Sequence, residues 1–316
     1  MARSALQRES VLAGSPRWRG QSGRVEVWYG TFSDRASGCG LWLHHELVAP
    51  TQGDPYLHGW ASLFPPDRPP STHRFGPEPV ASHSCWFASR DTVVDPPRLS
   101  GSIGPIEWDL ALHEASLPLW TFPRWAWERE ILPAAQVVVA PSALVHGAVV
   151  ARDSQFAFDG RGGLAHIYGH GNAERWGWLH ADLGGGDVLE VVSAVSRRPG
   201  LNRLPPMAFL RFRIDDRDWP DGAGLPAARV RTRLGLPRWG LHGRIGRHRV
   251  RVDVDQPEDR SAALTYVDPD GAEVTCTNSE QADAEIVLER RAGRSWALER
   301  SWTLHGTAHA EVGLRD

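Results

Sequence analysis

Lysine is missing altogether from this 316-residue chain: its 35 basic residues are all arginine, set against 38 acidic ones. The net charge of -3 removes the electrostatic case for a nucleic-acid partner, which calls for a clearly basic domain. Cysteine is scarce. Cys39, Cys85 and Cys276 stand far apart with no C-x-x-C, which argues against a disulfide framework and points to a reducing compartment or to one incidental pair. No apolar stretch approaches the roughly 18 residues of a membrane-crossing helix. The opening MARSALQRESVLAGSPRWRG lacks the apolar core of a secretion signal. The expectation is a cytoplasmic protein with no integral membrane segment, in contact with a membrane only peripherally. A sustained helical stripe is also absent, which argues against a helical bundle.

What the chain holds in excess is tryptophan, 15 residues against 9 phenylalanines and 4 tyrosines. Indole buries a broad flat surface and keeps one N–H donor, which suits a cavity with a polar end. Most of the remaining text is short alternating runs broken by turn clusters. Arg24–Ser33 and Leu41–Ala49 flank DRASGCG and read as a hairpin; Tyr56–Phe64, Asp187–Val195 and Met207–Ile214 continue the pattern. PLWTFPRWAWEREILP, ending at Pro133, reads as a loop or one short helix. Breaks at Pro269-Asp270-Gly271, Asn278-Ser279 and Ala292-Gly293 leave strands near 262–268, 272–277, 284–291 and 295–305. Arginines 229, 231 and 233 alternate with Val230, Thr232 and Leu234, as 247, 249 and 251 do with His248, Val250 and Val252, and both rows read as solvent faces. So many strands exceed one small barrel. The expected fold is all-β, with an N-terminal arm over 1–22 and two antiparallel barrel or sandwich domains over 23–150 and 151–316.

The densest chemistry lies in GGLAHIYGHGNAERWGWLHADL, residues 162–183. Alternate residues of a strand face opposite ways. The even positions hold His166, Tyr168, His170, Glu174, Trp176, Trp178, His180 and Asp182, while the odd ones are mostly small or aliphatic. GHGNA reads as a turn, so two strands of a hairpin are expected. An odd-length loop keeps all even residues on one wall, whereas a two-residue loop puts Tyr168 and Trp178 on opposite faces. The single composite site depends on that parity.

Four fragments together resemble one superfamily: Glu26, Trp28 and Tyr29; the run from Gly40 to Leu47 containing Trp42, His44 and Glu46; the Trp108-Asp109-Leu110 segment; and Trp176 to Asp182. This is the AttH-like, tocopherol cyclase and carotenoid hydratase group. The resemblance spans roughly residues 22–313 and implies two lipocalin-like (calycin) domains. It also implies addition of water or an internal hydroxyl across a C=C bond of a polyprenoid, with an acidic group of the second domain as proton donor. Asp182 is the best match, although Glu174-Arg175-Trp176 stands where an H-x-W is expected.

Protonating an alkene takes a carboxylic acid kept neutral by an apolar pocket and aromatic faces for the cation. On that reading Asp182 is the acid, with His180, His170, Tyr168 and Glu174 as catalytic neighbours. Trp176, Trp178, His166, Trp28, Trp42, His44, Glu46 and Trp108 bind substrate. Asp182 also reads as a strand-end residue hydrogen-bonded to the Gly184–Gly186 turn. A shared metal is not expected, because strand residues four apart are separated by about 13 Å, and no cofactor is expected. The partner is a lipophilic small molecule. A carrier that merely buries such a ligand is the rival to an enzyme, and a sugar-stacking protein is a third reading.

Overall fold

The computed structural model describes residues 2–113, 116–151, 154–221 and 229–315. Its strands form two ten-stranded groups, each antiparallel. The first contains β1 (Arg24–Asp34), β2 (Gly40–Ala49), β3 (Tyr56–Phe64), β4 (Ser71–Pro79) and β5 (Phe87–Ala88). It continues through β6 (Thr92–Asp95), β7 (Arg98–Ile103), β8 (Ile106–His113), β9 (Ala134–Ala151) and β10 (Ser154–Gly169). The second opens with β11 (Arg175–Gly184), β12 (Asp187–Val195), β13 (Met207–Ile214), β14 (Arg217–Trp219) and β15 (Val230–Arg233). It closes with β16 (Arg238–Ile245), β17 (His248–Asp255), β18 (Ala262–Val267), β19 (Glu273–Ala292) and β20 (Ser295–Leu314).

Each sheet wraps around its own core. In β8 the residues Ile106, Trp108, Leu110 and Leu112 are buried while their neighbours are exposed, the alternation of a half-solvated strand. All ten strands of the first sheet send side chains into one apolar cluster, and every strand of the second except β18 packs side chains against another. The all-β expectation of two lipocalin-like barrels is met. β2, by contrast, is buried at every position. Its odd residues Leu41, Leu43 and Leu47 fill the first core. Its even residues face a third cluster, where the two sheets meet.

Three details differ from the sequence reading. Residues 162–183 are not a hairpin: β10 pairs with β1 and β9, whereas β11 pairs with β12 and β20. The turn is real, but it is a crossover between sheets, so the change of sheet falls at 170–174 and not at 150. Asp268 pins it there, accepting from the Asn172 backbone and side chain at 2.7 and 2.8 Å. Second, the arm contains a helix, α1 (Ala2–Gly14). Its end docks on the first core: Ala13 is buried, and Trp28 Nε1 donates to the Gly14 carbonyl at 2.7 Å. Third, Asn278-Ser279 does not break a strand. β19 runs through it with bulges at Ser279/Ala282 and Ala282/Ala284, and a bulge bends a strand while keeping it paired. The tryptophan-rich loop holds one short helix, α2 (Arg124–Glu128).

Candidate functional site

The meeting of the sheets encloses a cavity of about 200 Å³. The odd face of β1 supplies Val25, Val27 and Tyr29, the even face of β2 supplies Trp42, His44 and Glu46, and β11 supplies Trp176 and Trp178. Gln136, Asn172, Ser196, Tyr266 and Glu311 add to its polar lining, and Phe122 meets Phe209 across it with ring centroids 4.5 Å apart. The lining is mostly apolar with a few convergent polar groups, the usual make-up of a small-molecule site.

The polar groups are organised by carboxylates. Glu311 accepts from Trp176 Nε1 at 2.6 Å and from the Tyr266 hydroxyl at 3.2 Å. Burial raises the Glu311 carboxyl above its usual range, and hydrogen bonds from Trp176, Cys276 and Tyr266 offset only part of that. Glu190 lies behind the wall, fully buried. It accepts from Gln136, from Trp178 Nε1 at 2.6 Å and from His180 Nδ1 at 2.9 Å. Farther along the seam Glu280 accepts from Thr31 and His309. Tyr29 stands among the three. Burial, then the charges of Glu190, Glu311 and Glu280, push its phenol well above 10, so it stays neutral.

On the β2 side His44 stacks on Trp60 at 3.9 Å, and its Nε2 lies 3.2 Å from Glu46. His58 approaches the same carboxylate oxygen at 3.3 Å. Burial alone would raise Glu46, but the charge of His58 and the hydrogen bonds of both histidines outweigh it and hold the carboxyl at about 2. Burial pushes His44 below its ordinary value, leaving a neutral ring beside an ionised carboxylate. Among the described residues no group of three His, Cys, Asp or Glu is arranged to hold a metal ion.

The expected site residues divide. Trp42, His44, Glu46, Trp176 and Trp178 line the cavity, and His180 stands one shell behind it on Glu190. Tyr168, His166, Trp28 and Trp108 face the interior of the first barrel instead; there Trp28 stacks on His166 at 4.8 Å. His170 is exposed and sits 2.9 Å from Arg24 on the crossover. Glu174 is half-buried, its backbone N–H donating to Val195. Asp182 is half-buried near the end of β11 and accepts from Gly184 N at 2.8 Å, the strand-end reading. Tyr168 and Trp178 thus serve different chambers, and the composite wall separates into two.

The sequence reading missed Tyr29, Gln136, Tyr266 and Glu311. Glu311 carried a usable signal: in HAEV the small Ala310 and Val312 face the second core, so His309 and Glu311 must share the opposite face.

A pair of curled antiparallel sheets with a mostly apolar cavity between them defines a two-barrel β protein with an internal chamber. Residues 115–314 match the tocopherol cyclase-like family, and the chain belongs to it. Two uncharacterised proteins of Mycobacterium tuberculosis, from strains CDC 1551 / Oshkosh and ATCC 25618 / H37Rv, are each 53% identical over 315 residues, covering 99% of this chain and 93% of the relative. Among solved structures, kievitone hydratase from Nectria haematococca aligns with a TM-score of 0.57 at 11% identity, over 91% of this chain and 88% of that one. A Nitrosomonas europaea protein described as an AttH aligns at 0.54 and 11%, over 92% of each. At that identity the likeness concerns the fold.

Proposed function

We propose that this chain is a cofactor-independent enzyme of the hydratase or cyclase kind, an isomerase or lyase working on a C=C bond of a hydrophobic, isoprenoid-like molecule. The observation that carries the reading is Glu311, a buried carboxyl at the edge of an aromatic cavity whose hold on its proton burial strengthens. Asp182, bonded to its own turn, lacks that setting. A protonated Glu311 gives its proton to one alkene carbon, forming a C–H bond and leaving positive charge on the other. Trp42, Trp176 and Trp178 present indoles to that charge, each worth about 0.5–2 kcal/mol. Water or a hydroxyl of the substrate then forms the C–O bond, and its proton returns to the Glu311 carboxylate. Tyr29 and Gln136 offer hydrogen bonds to the incoming oxygen. A family named for a cyclase and a fold shared with a hydratase are consistent with this chemistry.

The test is incubation with a panel of prenylated phenols and polyprenoid alkenes in D2O, read by mass spectrometry for deuterium on carbon. Removing a general acid typically costs 10²–10⁴-fold, so Glu311→Gln should lose at least about 10²-fold of turnover at unchanged melting temperature. Full activity in Glu311→Gln removes the acid assignment. Ligands that bind but return without deuterium make the chain a carrier.

A further inference from the structure

Large apolar side chains are exposed on the two segments that border the cavity mouth. The chamber reaches solvent past Leu132, Pro133, Ala134, Ser196 and Met207, all partly exposed, whereas Tyr29 and Trp178 at the other end are buried. Two segments build the mouth, and the contact of Phe122 with Phe209 ties them together. From the first, Trp125 and Ile131 project outward; from the second, Leu201, Leu204 and Met207 do. These five are 43–51% exposed, and they make up nearly half of the eleven exposed large hydrophobics among the described residues. Such crowding on a soluble surface marks an interaction site.

The charges on the second segment have one sign, and on the first the carboxylates Glu128 and Glu130 are paired with Arg124 and with Arg17 and Arg24. Residues 196–207, SRRPGLNRLPPM, contain three arginines and no acidic residue. Arg197 is engaged by Asp268 and Asp270. Arg198 and Arg203 are exposed and have no carboxylate partner among the described residues, and the same holds for Arg129 on the opposite lip. Exposed apolar groups interleaved with free arginines match a lipid surface that carries negative headgroups, with the side chains entering the headgroup boundary and the guanidinium groups meeting phosphates.

We infer that the mouth docks on an anionic bilayer, so that a lipophilic ligand passes between membrane and chamber without crossing water. The direction of transfer rests on the proposed function; the docking does not. No helix of the described residues is long and apolar enough to cross a membrane, and this surface calls for peripheral attachment alone.

The experiment is flotation of the whole chain with vesicles of pure phosphatidylcholine, and with vesicles of seven parts phosphatidylcholine to three parts phosphatidylglycerol. Binding to the anionic vesicles should exceed that to the neutral ones by about tenfold or more and fall with added salt. Leu201→Glu with Leu204→Glu should lower it at least about tenfold, as should Arg198→Glu with Arg203→Glu. None of these residues lines the cavity, so turnover of detergent-dispersed substrate stays at the parent level. Glu311→Gln should float like the parent, which separates failure of the chemistry from failure of the docking. Absence of vesicle binding, or binding indifferent to these substitutions, overturns the inference. So does a rim-dependent dimer in solution, which would give the face to a second copy of the chain.

Discussion

Two buried glutamates, Glu26 and Glu190, hold the same kind of partner and serve different ends. Glu26 accepts from His166 Nε2 at 2.8 Å and from the backbone N–H groups of Arg17 and Trp18 at 2.5 and 2.9 Å. His166 spends its other nitrogen on the Ala13 carbonyl at 2.7 Å. Every partner after the histidine belongs to the segment that plugs the first barrel. Glu190 likewise accepts three donors, but these are His180, Trp178 and Gln136, and the last two line the cavity. Valences remain open beside both: Tyr168 Oη and Arg17 Nε at the first, His180 Nε2 and, along the seam, Glu280 Oε1 at the second. A buried polar atom left unsatisfied is costly and is tolerated where a ligand or water completes the set. Residue type does not separate the structural cluster from the functional one. What their partners are attached to does.

Near-isosteric amides test that distinction. Glu26→Gln removes one charged acceptor and leaves either Trp18 or the Arg17–His166 pair facing an N–H₂ group. A hydrogen bond to a charged group contributes about 1.5–3 kcal/mol, so chemical denaturation should register a loss of that size, with turnover of the folded protein unchanged. Glu190→Gln should cost similar stability, yet also displace Trp178 and lower turnover by about 10²-fold, the usual penalty for a misplaced site group. Equal activity loss in both variants would erase the difference between the two clusters.

This comparison also shows how much the sequence held. Alternation correctly placed Trp42 with His44 and Glu46, and Trp176 with Trp178, because side-chain direction is local. It could not say which strands pair. Tyr168 is opposite Glu26 on β1, while Trp176 is opposite Gly313 on β20. Those registers are set by long-range packing of two barrels, so one continuous motif was dealt to two chambers. Asp182 looked acidic enough to act and is a turn cap. Glu311 and Tyr29 looked like ordinary strand residues and meet only because β1 and β20 converge at the seam. The helical nature of 2–14 was hidden for a related reason: it is held by Trp28 and the first core, not by a strong stripe of its own.

A smaller effect is expected from a glycine. A methyl group on Gly163 would stand 2.9 Å from Cε1 of His180 and 3.2 Å from its Nε2. Gly163 gives the imidazole its space against the first sheet. Gly163→Ala should therefore push His180 off Glu190 and lower turnover by about tenfold, while Gly185→Ala, at an open turn of positive φ, should cost stability alone, about 1 kcal/mol. Activity that survives Gly163→Ala intact would place His180 outside the working network.

The smallest and most diagnostic effect is in pH. Because burial raises Glu311, its proton is bound more tightly in the folded chain than in the unfolded one. Its contribution is complete below the unfolded carboxyl value and is lost as pH rises through the raised folded one, so stability from this group declines upward in pH. The protonated form is also the proposed acid, so turnover should fall across the same window, and Glu311→Gln should flatten the stability change. Glu46 runs the other way. Held at about 2, it adds stability above its ordinary value of 4.5 and loses it as pH falls from there through 2. Glu46→Gln should therefore remove an acid-side transition and leave in place the fall in turnover with rising pH that follows Glu311. If that fall followed Glu46 instead of Glu311, the proton donor would have to be sought on the β2 side of the cavity.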